Sequence, residues 1–147
     1  MYLTKERIDL SQFLERSEDP TGFCDGASVL FLGICREFSF GKRVLYLKYE
    51  AYEELAESQM QKMLQSAFRR WPLGKIHLLH RLGVVKLGEI ALALEVRAPH
   101  RAEAYEASRD LVEEIKHRVP IWKKEYFADG SCEWGQCQDH VELQRSR

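Results

Sequence analysis

Cysteine, proline and glycine are all scarce in this 147-residue chain, at four, four and nine residues. Their scarcity excludes a disulfide-stapled scaffold and leaves no Pro/Gly/Ser-rich linker to separate domains. A dominant charge is missing too. Lys plus Arg number 22 against 23 Asp plus Glu, a net charge of −1, so there is no overall basic field for coating nucleic acid. The longest near-apolar stretch, Ala27 to Cys35, is about half of the roughly 20 residues a membrane-spanning helix needs. The N-terminal MYLTKERIDL lacks the apolar core of a signal peptide. What is present, 45% hydrophobic and 31% charged residues, suits a globular domain that buries its core without metal or disulfides. The expectation is one soluble, cytoplasmic domain over residues 1–137 and a polar tail at 138–147, with neither nucleic acid nor a membrane as partner.

Cys24, Cys35, Cys132 and Cys137 form no C-x-x-C pair, and no histidine stands at zinc-finger spacing from them. Four reduced thiols are expected, with a Cys132–Cys137 disulfide near a C-terminal hairpin as the alternative.

The periodicity alternates between strand and helix. ASVLFLGICR, Ala27–Arg36, reads as a buried strand apolar on both faces. A loop over Phe38–Lys42 leads to a second strand, Arg43–Ala51, with Leu45, Leu47 and Tyr49 on one face. Glu53–Arg70 switches period: Ala56, Met60, Met63, Leu64, Ala67 and Trp71 make one helical stripe. Acids open this helix, Arg69 and Arg70 close it, and Pro72 and Gly74 stop it. Lys75–Leu82 and Glu89–Arg97 read as further strands. A second helix spans Arg101–Arg118, with Ala104, Tyr105, Ser108, Leu111, Val112, Ile115 and Val119 as its stripe. A hairpin follows from Ile121–Phe127 and Ser131–Gly135 around Asp129-Gly130. These elements predict an α+β domain.

Basic residues gather where elements end and loops meet, the usual place for sites. Arg36 closes the first strand; His100 and Arg101 open the second helix; Lys116, His117 and Arg118 close it; Lys123 and Lys124 follow. The free N–H groups and positive dipole end at His100-Arg101 suit a phosphate or carboxylate. The alternative there is a solvated Arg101 paired to Glu103 or Glu106. Lys116 and Lys123 either complement the helix dipole and point to water, or converge on a pocket and stabilise developing negative charge. Cys35 falls on the face opposite Arg36 with no base beside it, which makes it a packed core thiol. His77 and His80 sit three apart in a strand and face opposite ways, a poor metal pair.

In order along the chain, GASVLFLGICR, YLKYEAY, WPLGKIHLLHRLG, PHRAEAYEA and IKHRVPIWKKE resemble the catalytic (large) subunit family of molybdopterin synthase. The resemblance runs from about Gly26 to Trp134, some three-quarters of the chain. It implies an α/β-hammerhead-like fold with an additional antiparallel sheet. It also implies a homodimer core within a heterotetramer, with a small ubiquitin-like sulfur carrier ending in a Gly-Gly thiocarboxylate at each end. The implied reaction is transfer of sulfur from that carrier to cyclic pyranopterin monophosphate, forming the dithiolene of molybdopterin. No cofactor or metal is implied, because molybdenum enters later.

Residue by residue, the resemblance makes Arg36 the arginine ending the strand, with Ile34 and Cys35 beside it in the substrate-contacting segment. His100 and Arg101 match the pair that contacts the pterin phosphate. Lys116 matches the lysine nearest the carrier's C-terminus and Lys123 the second catalytic lysine, with Lys124 and Glu125 along the pocket. The chain departs from the pattern at Cys35, at Glu37-Phe38, and at Arg97 and Pro99; Arg97 is a candidate further phosphate contact. The competing expectation is a non-catalytic scaffold that docks the carrier.

Overall fold

The computed structural model describes residues 1–15 and 24–136; the tail at 138–147 and Cys137, with any pairing to Cys132, lie outside the described residues. The element order is β1 (Leu3–Thr4), α1 (Ser11–Leu14), β2 (Ala27–Ile34), β3 (Phe38–Ser39), β4 (Lys42–Ala51), α2 (Glu53–Arg70), β5 (Lys75–Arg81), β6 (Gly83–Lys86), β7 (Ile90–Ala98), α3 (Arg101–Arg118), β8 (Ile121–Phe127) and β9 (Cys132–Gln136). Two sheets result. One has the order β1-β5-β7-β2; the other runs β3-β4-β8-β9, with β6 on the second edge of β4. The α+β class and the hammerhead-like arrangement with an added antiparallel sheet are both present.

Both long helices match their predicted bounds, because the 3.6-residue apolar stripe and the terminal charges agree. In α3 the buried face carries Ala107 in place of the expected Tyr105, which is 64% exposed. Ala104, Ser108, Leu111 and Ile115 centre that face, and Tyr105 turns away to its rim. A second difference concerns β2. Its double-sided apolar pattern predicts burial, yet it is an edge strand with Ser28 and Ile34 exposed. The strand that is buried throughout from Ala91 to Ala98 is β7, held between β5 and β2. The stretch expected as a loop at Phe38–Lys42 is a tight hairpin. Ser39 pairs with Lys42, and Phe40 and Gly41 both take positive φ, 52° and 74°, as a two-residue turn matching strand twist requires.

The N-terminus is tied in by polar groups that periodicity does not reveal. The Glu57 carboxylate accepts the backbone N–H groups of Tyr2 and Leu3 at 2.8–2.9 Å, fixing β1 beside α2. On the sheet face opposite the core, Phe13 stacks on His77 at 4.1 Å. Beside them Glu95, 1% exposed, accepts from Ser28 Oγ at 2.6 Å and from Arg97 at 3.0 and 3.1 Å, while Arg97 Nη2 donates to the Glu15 carbonyl. Arg97 is therefore a buried structural cation under the N-terminal segment. The expectation that it contacts phosphate is corrected, since its donors are engaged and strand alternation turns it away from Leu94 and Val96 in the core.

His80 projects to the opposite face from His77, as alternation requires, and lies edge-on to Tyr49 at 5.0 Å. Its Nδ1–H donates to the Arg81 carbonyl at 2.8 Å. Complete burial pushes its pKa from 6.5 down to about 4, with the Arg81 bond opposing the shift.

Two stability predictions follow from these buried groups. Glu95→Ala strands the Arg97 guanidinium and is expected to lower unfolding stability by about 3–5 kcal/mol, whereas replacing both residues by leucine and methionine costs much less; urea unfolding measures both. His80 is neutral in both states at high pH. Below pH 6.5 the unfolded chain takes up a proton that the folded chain refuses until about pH 4. Stability is thus expected to fall by up to about 3 kcal/mol between those limits. Urea midpoints at about pH 7 and about pH 4.5 give the slope, which His80→Gln should flatten.

Candidate functional site

The site is a cavity of about 210 Å³ between the two sheets and the end of α3, and its lining includes Arg36, Lys116, Lys123 and Glu125. Each polar group arrives by a separate local rule. In β8, Lys123 stands opposite Tyr49 and Glu125 opposite Leu47 in β4, so alternation turns both inward. Lys116 comes from the last turn of α3, and Arg36 follows the end of β2. Phe31, Ile34, Val44, Leu47, Leu92 and Ile115 supply apolar wall.

The electrostatics are strongly one-sided. Three cations share the cavity with one carboxylate, Glu125, which is 5% exposed and lies 3.5 Å from Lys123 Nζ. The Glu125 carboxylate helps fix the position of the Lys123 ammonium, and the lining as a whole carries net positive charge, which suits an anionic ligand. Neutral His80 adds a polar wall that carries no charge at physiological pH. Among the described residues, no group of three or more His, Cys, Asp or Glu side chains is placed to hold a metal ion.

Not every expected residue meets there. Cys35 is 2% exposed, and burial pushes its thiol pKa up; it packs in the core behind the wall and does not line the cavity. Lys124 faces the other side of β8, where it lies over the rings of Tyr126 and Trp134 at 5.1 and 5.2 Å. His100 and Arg101 are exposed at the start of α3. Fifteen residues at 1.5 Å per residue place Arg101 about 22 Å along the axis from Lys116. One copy of the chain therefore does not bring His100 and Arg101 to the cavity. Sequence reading missed Ser39, Tyr49 and His80, which also line it. Tyr49 and His80 had a signal in strand alternation, whereas the inward turn of Ser39 depends on the hairpin at Phe40-Gly41.

This arrangement has close counterparts among known proteins. The chain is 46% identical over 128 residues to the molybdopterin synthase catalytic subunit of Halalkalibacterium halodurans, a match spanning 87% of this chain and 80% of that protein. It is 38% identical to the subunit of the same name from Bacillus subtilis, with the same coverage. The crystal structure of molybdopterin synthase from Staphylococcus aureus superimposes with a TM-score of 0.80 at 34% identity, over 91% of this chain and 95% of that one. A complex of subunits 1 and 2 of molybdopterin-converting factor from Helicobacter pylori shares the fold at a TM-score of 0.72 and 22% identity. The MoaE protein family matches residues 3–118, more than half of the chain, and the protein belongs to that family.

Proposed function

We propose that this chain is the catalytic subunit of a molybdopterin synthase. It moves sulfur from the C-terminal thiocarboxylate of a small ubiquitin-like carrier to cyclic pyranopterin monophosphate, forming the dithiolene of molybdopterin. The observation that carries this reading is the convergence of Arg36, Lys116 and Lys123 on one cavity, in a chain closely similar to proteins named for that activity.

Both substrates are anions, and a cationic, partly dehydrated pocket binds them and strengthens each interaction. In one transfer the carrier's sulfur bonds to a pterin carbon as that carbon's C–O bond to the cyclic phosphate breaks, leaving an open phosphate monoester. In the other, the neighbouring carbon loses its oxygen as water. Each time the carrier and the pterin are joined by a thioester. Water then adds to the acyl carbon and the acyl C–S bond breaks. Sulfur stays on the pterin and the carrier leaves as a carboxylate. Lys116 stabilises the oxyanion formed at the acyl carbon, and Lys123, held by Glu125, stabilises charge as the phosphate ester opens. Two carriers deliver the two sulfurs.

The protein works as a homodimer with a carrier at each end. Because His100 and Arg101 lie about 22 Å from Lys116 on one helix, they serve the pterin phosphate from the second copy. A cytoplasmic location accords with the thiols of Cys24, Cys35 and Cys132, which form no disulfide among the described residues; no described helix is long and apolar enough to cross a membrane.

Reconstitution tests the reading. The purified chain, thiocarboxylated carrier and cyclic pyranopterin monophosphate are expected to yield molybdopterin, read as its fluorescent oxidation product. Lys116→Ala and Lys123→Ala should each lower the rate by about 100-fold or more. A stable complex that makes no product would establish a scaffold instead. Shared sites have their own signature: co-expressed Lys116→Ala and Arg101→Ala chains should regain about a quarter of wild-type activity, because half the dimers are mixed and each mixed dimer has one intact site. No recovery would place His100 and Arg101 outside the partner's site.

A further inference from the structure

Ser39 is 5% exposed and its hydroxyl has no hydrogen-bond partner among the described residues. Its backbone is already engaged by pairing with Lys42 across the Phe40-Gly41 turn, so the hairpin does not need the side chain. Other buried polar atoms also lack partners among the described residues, at Gln59, His77, Arg81 and Glu103, but none of those residues lines the cavity. Ser39 does. A buried hydroxyl without a partner destabilises the free protein. A ligand that reaches it removes that penalty.

The cavity limits what that ligand is. At about 210 Å³ it falls below the roughly 300–1,000 Å³ of pockets that enclose a drug-sized molecule, so it takes in only the reacting part of a pterin monophosphate. A slender, extended chain fits. Val44 and Leu47 on the neighbouring strand offer apolar wall but no side-chain donor, so a peptide carbonyl entering between them needs a donor to offset its desolvation. Resting on the function proposed above, we infer that the Ser39 hydroxyl donates a hydrogen bond to a main-chain carbonyl of the carrier's Gly-Gly C-terminus. Ser39 is then a positioning and affinity residue for the sulfur donor, distinct from the lysines that act on the reacting groups.

Ser39→Ala tests this with three readouts. Thermal unfolding of the free protein should be unchanged or slightly higher, because an unsatisfied polar group has been removed. In steady-state synthesis the KM for the thiocarboxylated carrier should rise about fivefold to tenfold while kcat and the KM for the pterin hold, the pattern of lost ground-state binding. Calorimetric binding of the carrier in its ordinary carboxylate form should weaken by the same factor, without reference to turnover. Unchanged carrier affinity overturns the inference, as does a rise confined to the pterin KM. A lower unfolding temperature assigns Ser39 a structural role and overturns it too. A wild-type chain that binds carrier but makes no product refutes the proposed function, while the calorimetric comparison still decides the role of Ser39.

Discussion

The register between β4 and β8 is the constraint on which the cavity depends. With Tyr49 opposite Lys123 and Leu47 opposite Glu125, two charged side chains turn inward against an apolar wall. A slip of one residue reverses every side chain in a strand. It would put Lys124 and Trp122 inside and send the lysine–glutamate pair to solvent. The register is secured from three sides. β9 pairs along the far edge of β8, β6 pairs along the far edge of β4, and the Asp129-Gly130 turn joins β8 to β9 with Gly130 at positive φ. The placing of Lys123 and Glu125 is therefore set by a ladder held in register by strands that do not reach the cavity.

The first sheet supports the second by being filled on both faces. Leu78, Leu92, Leu94 and Val96 meet the helices on one side. On the other, the Glu95–Arg97 pair lies beneath the N-terminal segment, with Phe13 stacked on His77 nearby. Polar groups so deeply buried specify one arrangement because any other leaves a charge unpaired. The cavity obeys the same rule with the balance shifted. Glu125 pairs with Lys123, and a lining of three cations and one carboxylate carries net positive charge.

Much of the fold was legible because period and punctuation agreed. The α2 and α3 bounds follow from apolar stripes, terminal charges and the stops at Pro72 and Pro120. The edge position of β2 was not legible, since hydrophobicity reports what a strand tolerates and not how many neighbours it has. Nor were β1 and β6 apparent, because two and four residues carry too little pattern to identify. At the site, Arg36, Lys116, Lys123 and Glu125 came from the family resemblance, residue by residue. Lys124 came with them through the same resemblance, although neighbours in a strand face opposite ways. Arg97 looked available because its partner Glu95, two residues earlier on the same face, was read as part of an ordinary alternation.

The helix α3 also acts as a ruler. Its 18 residues carry His100 and Arg101, proposed above for the phosphate, at one end and Lys116, proposed for the acyl carbon, at the other, and an α-helix changes length only together with phase. One inserted residue would rotate one end by about 100° relative to the other and lengthen the rod by about 1.5 Å. Seven would nearly restore the facing but separate the ends by about 10 Å more. An assembly that assigns the two ends of this helix to different substrates' sites can vary its loops freely, while the number of residues in that one element is fixed by geometry.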